Sequence, residues 1–338
     1  MMRPTTGTTK GCRGRVSNAG VAAVVVTWNR RDLLAESLRA LDAQTVPPRA
    51  VIVVDNASDD GTAQLLARDF PHVDVVRTRR NTGGAGGFAI GLRRALATPT
   101  EAVWLMDDDT VPEPEALAAL VAARLGYVDP AHPSRPPALV ASRVVWTDGR
   151  DHPMNTPRKK PGVRHAEVAA AEAILCVPVR SASFVSVLVD ADLVRERGLP
   201  IADYFLWNDD FEYTTRLVRD RVGLWCPASV VVHKTSTFGS IATDPGERFF
   251  YEVRNKVWLF GRSHGLSPVE KAVYAASTVR RWVHTFARSP DRRTLWRGLR
   301  GGVTDAVRTR PADTAVLIDE ATAPDPTPPT RGTEGRCG

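Results

Sequence analysis

Apolar and polar positions alternate along this chain in blocks of two kinds. Val21–Val26 is an unbroken apolar, β-branched run, the pattern of a strand buried on both faces. In Arg31–Gln44, Leu33, Leu34, Leu38 and Leu41 recur at helical spacing. The same pair of patterns returns three times. Val51–Val54, closed by Asp55, precedes a helical stretch over Gly61–Asp69. Val73–Val76 precedes Gly86–Leu96. Val103–Met106, closed by Asp107, precedes Glu113–Leu125, which Pro112 and Pro114 introduce. Four strand–helix units with short connections predict an α/β fold, a mostly parallel central sheet with helices on both faces. Ligands bind such sheets beyond the carboxyl ends of the strands. The polar segments Thr27–Arg31, Asp55–Gly61, Arg79–Gly87 and Asp107–Thr110 are all expected on that one edge.

From Asp129 to Ala173 the periodicity fades, and a long loop is expected, with a strand near Leu139–Trp146. Ser183–Val189, Val222–Trp225 and Val230–Val232 read as strands; Asp209–Asp220 and Arg248–Phe260 read as helices. Val269–Arg310 reads as helical and basic, with ten Lys/Arg against three Asp/Glu. The ends lack periodicity and read as tails. The expected division is a flexible tail over 1–20, a core domain over 21–262 (a ligand-binding half, 21–125, and a second half, 126–262), a basic helical extension over 263–312 and a disordered tail over 313–338.

Composition narrows the classes. With 43% hydrophobic and 25% charged residues, the 338-residue chain is neither disordered overall nor a disulfide scaffold. No apolar run approaches the ~20 residues of a membrane span. The basic stretch Met1–Ser17 lacks the apolar core and cleavage site of a secretory signal, so a cytoplasmic protein is expected. Four cysteines without a C-x-x-C pair point away from zinc or redox motifs; Cys176 and Cys226 read as buried thiols. The net charge of +7 suggests an anionic partner.

Candidate chemistry sits at the strand ends. Asp107-Asp108-Asp109 places three carboxylates together, which repel unless a cation lies among them; oxygen ligands of this kind suit Mg²⁺ or Mn²⁺. A solvated acidic turn is the alternative. Asp55 could accept from a nucleobase or a ribose, with Ser58–Thr62 shaping the turn. In Asn81–Ala89, Gly84-x-Gly86-x-x-Ala89 fits a relaxed dinucleotide fingerprint, as in an NAD-dependent oxidoreductase. It lies at the third βα turn rather than the first, and three adjacent acids exceed what a ribose needs. Trp207-Asn208-Asp209-Asp210-Phe211-Glu212 offers either helix caps or a general base beside an aromatic ring on which a sugar could stack. His233 follows a strand and on its own is ambiguous.

Taken together, these segments resemble the family 2 glycosyltransferases of the GT-A fold, over roughly Val21–Phe260. The matching pieces are Val24–Arg30, Val54–Ser58, Asp107–Asp109 and Asp209–Glu212. Asn81–Ala89, Trp104–Asp109 and Asp244–Phe250 leading to Arg254-Asn255 are most similar to the actinobacterial galactofuranosyltransferases of arabinogalactan assembly. The resemblance implies an inverting, metal-dependent transfer from a nucleotide sugar, UDP-galactofuranose above others, to a glycan or polyprenyl-diphosphate-linked acceptor. Rhamnosyl or other hexosyl transfer is the alternative within the family. It assigns Asp107, Asp109 and His233 to Mn²⁺ or Mg²⁺. It assigns Thr27, Asp55, Arg80, Asn81, Gly84 and Asp107 to the donor, Asp210 to the general base, and Asp209 with Trp207 to the acceptor. Trp282, Val283, Phe286, Leu295, Trp296 and Leu299 lie among seven arginines between Arg280 and Arg300. They suit an anionic lipid surface at the inner face of the plasma membrane or plain packing on the domain. A nucleic-acid-binding protein would leave the clustered acids unexplained, so no nucleic acid is expected. A nucleotidyltransferase would want a glycine-rich loop after the first strand, and Thr27–Arg31 has no glycine.

Overall fold

The computed structural model describes residues 20–238 and 244–323; the tail expected over 1–20 lies, but for Gly20, outside the described residues. Strands β1 (Val21–Thr27), β2 (Ala50–Asp55), β3 (Asp74–Arg77) and β4 (Ala102–Asp107) alternate with helices α1 (Arg31–Asp42), α2 (Thr62–Asp69) and α3 (Gly83–Leu96). The four strands are parallel in the order β3-β2-β1-β4, with Val24 opposite Ile52 and Leu105. All seven residues of β1 are buried. Because side chains alternate across a strand, Ala23, Val25, Trp104 and Met106 enter one core with Leu34, Leu38 and Leu66. Ala22, Val24, Val103 and Leu105 enter the other with Phe88, Ala89 and Leu92 of α3. Each face buries enough apolar surface to lock the register, since a one-residue slip would exchange the two sets.

Beyond β4 the sheet becomes mixed. β5 (Thr110–Pro112) leads to α4 (Ala116–Gly126), β6 (Leu139–Val145), β7 (Arg158–Lys159), α5 (His165–Glu172), β8 (Val177–Ser181), β9 (Ser186–Asp190), α6 (Ala191–Arg197), α7 (Asp209–Leu217) and β10 (Gly223–His233). The order continues β4-β9-β6-β10-β8-β7, with β5 also on β10. The two short strands expected at 222–232 form one strand, β10, whose register against β6 shifts between Cys226 and Val230 where Pro227 interrupts. Cys176 and Cys226 are free and buried.

The C-terminal region is helical: α8 (Phe249–Arg262), α9 (Pro268–Arg288), α10 (Arg292–Arg308) and α11 (Thr314–Thr322). The disordered tail expected from residue 313 therefore begins with a helix. Asp313 caps it by accepting from Ala315 N, and Ile318 and Ala321 are buried in the α3-side core; 324–338 lie outside the described residues. The apolar residues of the basic extension divide. Leu295 is buried, and Trp282, Phe286 and Leu299 pack with it on Phe249 and Val253. These four are packing residues. Val283 and Trp296 stay exposed, and so do Val269, Val273, Val303 and Val307. No described helix is long and apolar enough to cross a membrane.

Candidate active site

The carboxyl ends of β1 and β4 meet through the three acids. Asp108 accepts from Thr27 Oγ1 at 2.7 Å and from Arg30 Nη1 at 3.3 Å. Asp109 accepts from the same Arg30 Nη1 at 2.6 Å. Asp108 is thus a strut between strands, and Thr27 is spent on holding it. Asp107 and Asp109 are left to face the cavity. Burial, then the charge of Asp109, pushes the Asp107 carboxyl up to about 7; burial, only partly offset by Arg30, pushes Asp108 up to about 6. Burial also works against an ionised Asp109, but His233 and Arg30 outweigh it and hold Asp109 below the usual range.

His233 reaches this cluster through strand pairing. β10 runs antiparallel to β5, which places His233 opposite Thr110, and Lys234 N donates to Asp109 O at 2.9 Å. His233 Nε2 then lies 3.1 Å from Asp109 Oδ1. Asn155 gives its Nδ2 to Ser183 Oγ at 3.2 Å, so its Oδ1 accepts from His233 Nδ1 at 2.9 Å. That fixes the ring with Nε2 toward the carboxylate, the way a second-shell partner orients a metal-binding histidine. Two acceptors facing each other need a proton or a cation between them. Ligand atoms of Asp107, Asp109 and His233 lie within 4.8 Å of one another. This donor set fits a divalent cation, and its imidazole favours Mn²⁺ over Mg²⁺.

The cluster opens into a cavity of about 800 Å³ lined also by Arg30, Trp207 and Arg248. A second cavity, about 310 Å³, holds Asp210, Arg158, Ser183, Lys256 and Trp282. The two share Met154, Trp207 and Pro245. Trp207, the expected acceptor platform, is therefore the partition between them. It belongs to a strained loop: Phe205, Trp207 and Asn208 all have positive φ (59°, 66° and 68°). The amide of buried Asn255 holds this loop, with Nδ2 at 2.9 Å from the carbonyls of Tyr204, Leu206 and Trp207. Arg254 bonds the Tyr204 carbonyl as well. After the loop, α7 begins with Asp209 and Asp210, and Asp210 Oδ1 accepts from Phe211 N at 2.6 Å. Burial raises both carboxyls; for Asp209 the adjacent Asp210 adds to it. Glu212, the last acid of the motif, is buried and bound by Arg216 and Ser263, a packing role.

The expected donor residues disperse. Asp55 is fully buried; Oδ1 accepts from Ser58 N at 2.9 Å, and Oδ2, without a hydrogen bond, pairs with Arg77 Nε at 3.8 Å. A buried carboxylate oxygen without a hydrogen bond has acceptor capacity that a base or ribose donor could use. Asn81 Oδ1 accepts from Gly83 N at 2.7 Å, closing the turn into α3. Arg80 pairs with Glu320 of α11 at 3.1 Å. Both line a separate groove with Leu317 and Ile318, away from Asp107. Gly84 faces open space at the start of α3. The glycines further along serve packing: a Cβ on Gly87 or Gly91 would collide with Val26 or Val24 of β1. Gly86, the second glycine of the relaxed fingerprint, packs against Thr82 of its own turn. Sequence reasoning assigned no role to Arg30, Asn155, Arg158 or Lys256. Arg30 lay inside a quoted motif, whereas Asn155 and Arg158 lay in a stretch without periodicity.

A profile described as Glycosyl transferase family 2 matches residues 22–134. Galactofuranosyltransferase GlfT1 of Mycobacterium tuberculosis is 31% identical over 254 residues, covering 68% of this chain and 79% of that one. The chain belongs to glycosyltransferase family 2. GlfT1 of Mycolicibacterium smegmatis is 33% identical over 209 residues, 59% of this chain and just under two thirds (65%) of that relative. Among solved structures, S. aureus TarS 1-349 superposes with a TM-score of 0.56 at 16% identity, covering 85% of this chain and 81% of that one. The mannosyltransferase PcManGT of Pyrobaculum calidifontis, in complex with GDP-Man and Mn²⁺, gives 0.50 at 20% identity, with 89% and 80% covered. The fold is that of the GT-A enzymes, and the protein is a glycosyltransferase resembling the actinobacterial galactofuranosyltransferases.

Proposed function

We propose that the enzyme transfers a galactofuranosyl group from UDP-galactofuranose to a glycan hydroxyl, with inversion. The observation that carries this reading is the cation-ready cluster Asp107, Asp109 and His233 in one cavity, with Asp210 in the next and Trp207 shared between them. The likeness to the two GlfT1 proteins supports the sugar. A divalent cation held by Asp107, Asp109 and His233 would screen the departing diphosphate. Asp55 would take an N–H or O–H of the nucleoside on Oδ2, the oxygen beside Arg77. The acceptor would rest against Trp207 with its hydroxyl toward Asp210, which removes the proton as the bond forms. Attack from the side opposite the diphosphate inverts the anomeric carbon, through a transition state of oxocarbenium character.

A panel of UDP- and dTDP-sugars, read by release of nucleoside diphosphate, tests the donor. Turnover confined to UDP-galactofuranose is expected. Preference for a dTDP-linked sugar would favour rhamnosyl transfer instead.

A lipid-linked acceptor is supported by the surface of α9 and α10. Val269, Val273, Val283, Trp296, Val303 and Val307 are exposed there among the arginines of a helical pair with two acids, Glu270 and Asp305. Apolar side chains within a basic field suit an anionic bilayer surface. Co-sedimentation with phosphatidylglycerol vesicles is expected, and it should weaken when Trp296 and Val303 are changed together to Ser. Equal sedimentation of that variant would discard the lipid contact.

A further inference from the structure

Asp209 and Asp210 are adjacent carboxyls, the first buried and the second half-buried, so one of them tends to keep its proton. Their surroundings differ in sign. Asp209 feels burial and the negative charge of Asp210. Asp210 faces cations. Lys256 of α8 is buried, its Nζ 4.9 Å from the Phe211 ring centroid and 5.8 Å from that of Phe260. Arg158 of β7 stacks on the same Phe211 at 5.1 Å and on Tyr274 at 5.5 Å. Among the described residues no carboxylate pairs with either cation within 4 Å. Glu252, also on α8, competes with Asp210 for the charge of Lys256. Glu252 is already taken by Arg281 of α9, by Trp282 Nε1 at 3.2 Å and by Asn208 Nδ2 at 2.9 Å. Lys256 and Arg158 both line the cavity that holds Asp210.

We propose that Lys256, aided by Arg158, is the positioning residue that places the negative charge on Asp210 rather than on Asp209, and so fixes which carboxylate takes the acceptor proton. This rests on the reading of Asp210 as base. An ionised base is required above its pKa and is lost below it. Removing a cation raises that pKa, so the acid limb of the rate profile moves to higher pH while the alkaline plateau is kept. An opposite charge nearby is worth about one unit or more, hence about a tenfold fall in kcat on the acid side.

The test is kcat against pH for the full chain, read as UDP release from UDP-galactofuranose. Lys256→Met is expected to shift the acid limb upward by about one unit with the KM for the donor unchanged; Lys256→Arg is expected to overlay the wild type. A Lys256→Met profile lowered in parallel at every pH would show a merely structural role and overturn the proposal. If Lys256→Met does not fold, Arg158→Met must shift the limb in the same direction, and an unmoved limb overturns the proposal. Asp210→Asn separates the two levels. If it keeps turnover, the base reading itself falls; if it is inactive while the Lys256→Met limb stays in place, only this inference falls.

Discussion

Asn255 is the residue whose loss separates positioning from stability most sharply. Its Nδ2 carries two protons and lies 2.9 Å from three carbonyls, those of Tyr204, Leu206 and Trp207. Asn255→Ala removes both donors inside a fully buried site. Each carbonyl left without a partner costs about 1–3 kcal/mol, and two protons are lost, so the native loop is disfavoured by about 2–6 kcal/mol. The loop also stores strain at Phe205, Trp207 and Asn208, about 1–3 kcal/mol each. Relaxing the loop releases that strain and lets water reach the carbonyls. The loop therefore rearranges before the domain unfolds, and the measured stability falls by less than the hydrogen-bond sum. The rearrangement displaces Trp207 and the first turn of α7, which carries Asp210. Misplacement on the order of 1 Å can cost about 10²-fold in rate. A melting curve and transfer kinetics on the same sample are the assay. A small drop in melting temperature with about a hundredfold loss of kcat/KM is expected, with binding of UDP nearly unchanged. Wild-type kcat/KM in Asn255→Ala would refute the reasoning, because the strained loop would then hold itself.

Other outcomes follow from the packing and the charges. Glu270 pairs with Arg180 at 2.6 Å and caps α9 from Ser267. Although burial opposes ionisation, the Arg180 hydrogen bond and the Ser267 N–H bring its carboxyl from 4.5 down to about 2. A depressed carboxylate contributes stability above its unfolded pKa and loses it as pH falls through the folded one. Denaturant unfolding is therefore expected to show a loss between about pH 4.5 and 2 that Glu270→Gln, already destabilised at neutral pH, lacks; equal pH slopes would reject the linkage. Gly91→Ala should destabilise by about 2 kcal/mol, because overpacking against Val24 and Val54 outweighs the gain in helix propensity of under about 1 kcal/mol; a stabilised variant would contradict the close α3–β1 contact. Asp210→Asn is expected to lose nearly all transfer while still binding UDP, measured by calorimetry; failure to bind UDP would move Asp210 into the donor site.

The first half of the fold was legible because its signals are local. Each of β1, β2 and β4 is apolar almost end to end, each is followed by a helix-spaced stretch, and the polar residues after them share an edge by chain direction alone. The second half depends on non-local pairing. β8 has only five residues and contains Pro178, so no alternation announced it. Pro227-Ala228-Ser229 made β10 look like two strands. His233 could be tied to Asp109 only through resemblance, since the β5–β10 pairing joins positions more than a hundred residues apart. The helix α11 had a local signal, Asp313 before Val316-Leu317-Ile318, but the Pro- and Thr-rich sequence after it hid that stretch. Arg80 illustrates the consequence: the resemblance placed it with the donor, and the structure adds a pairing with Glu320 of α11 that no local signal announced.

The central claim is that Asp107, Asp109 and His233 hold a divalent cation that glycosyl transfer requires. The direct measurement is UDP release from UDP-galactofuranose by EDTA-stripped protein during titration with Mn²⁺, for wild type and His233→Ala. Activity absent without metal, restored by Mn²⁺, and restored in His233→Ala only at about tenfold or more higher Mn²⁺ is the predicted result. Full turnover by the stripped wild-type protein would contradict it.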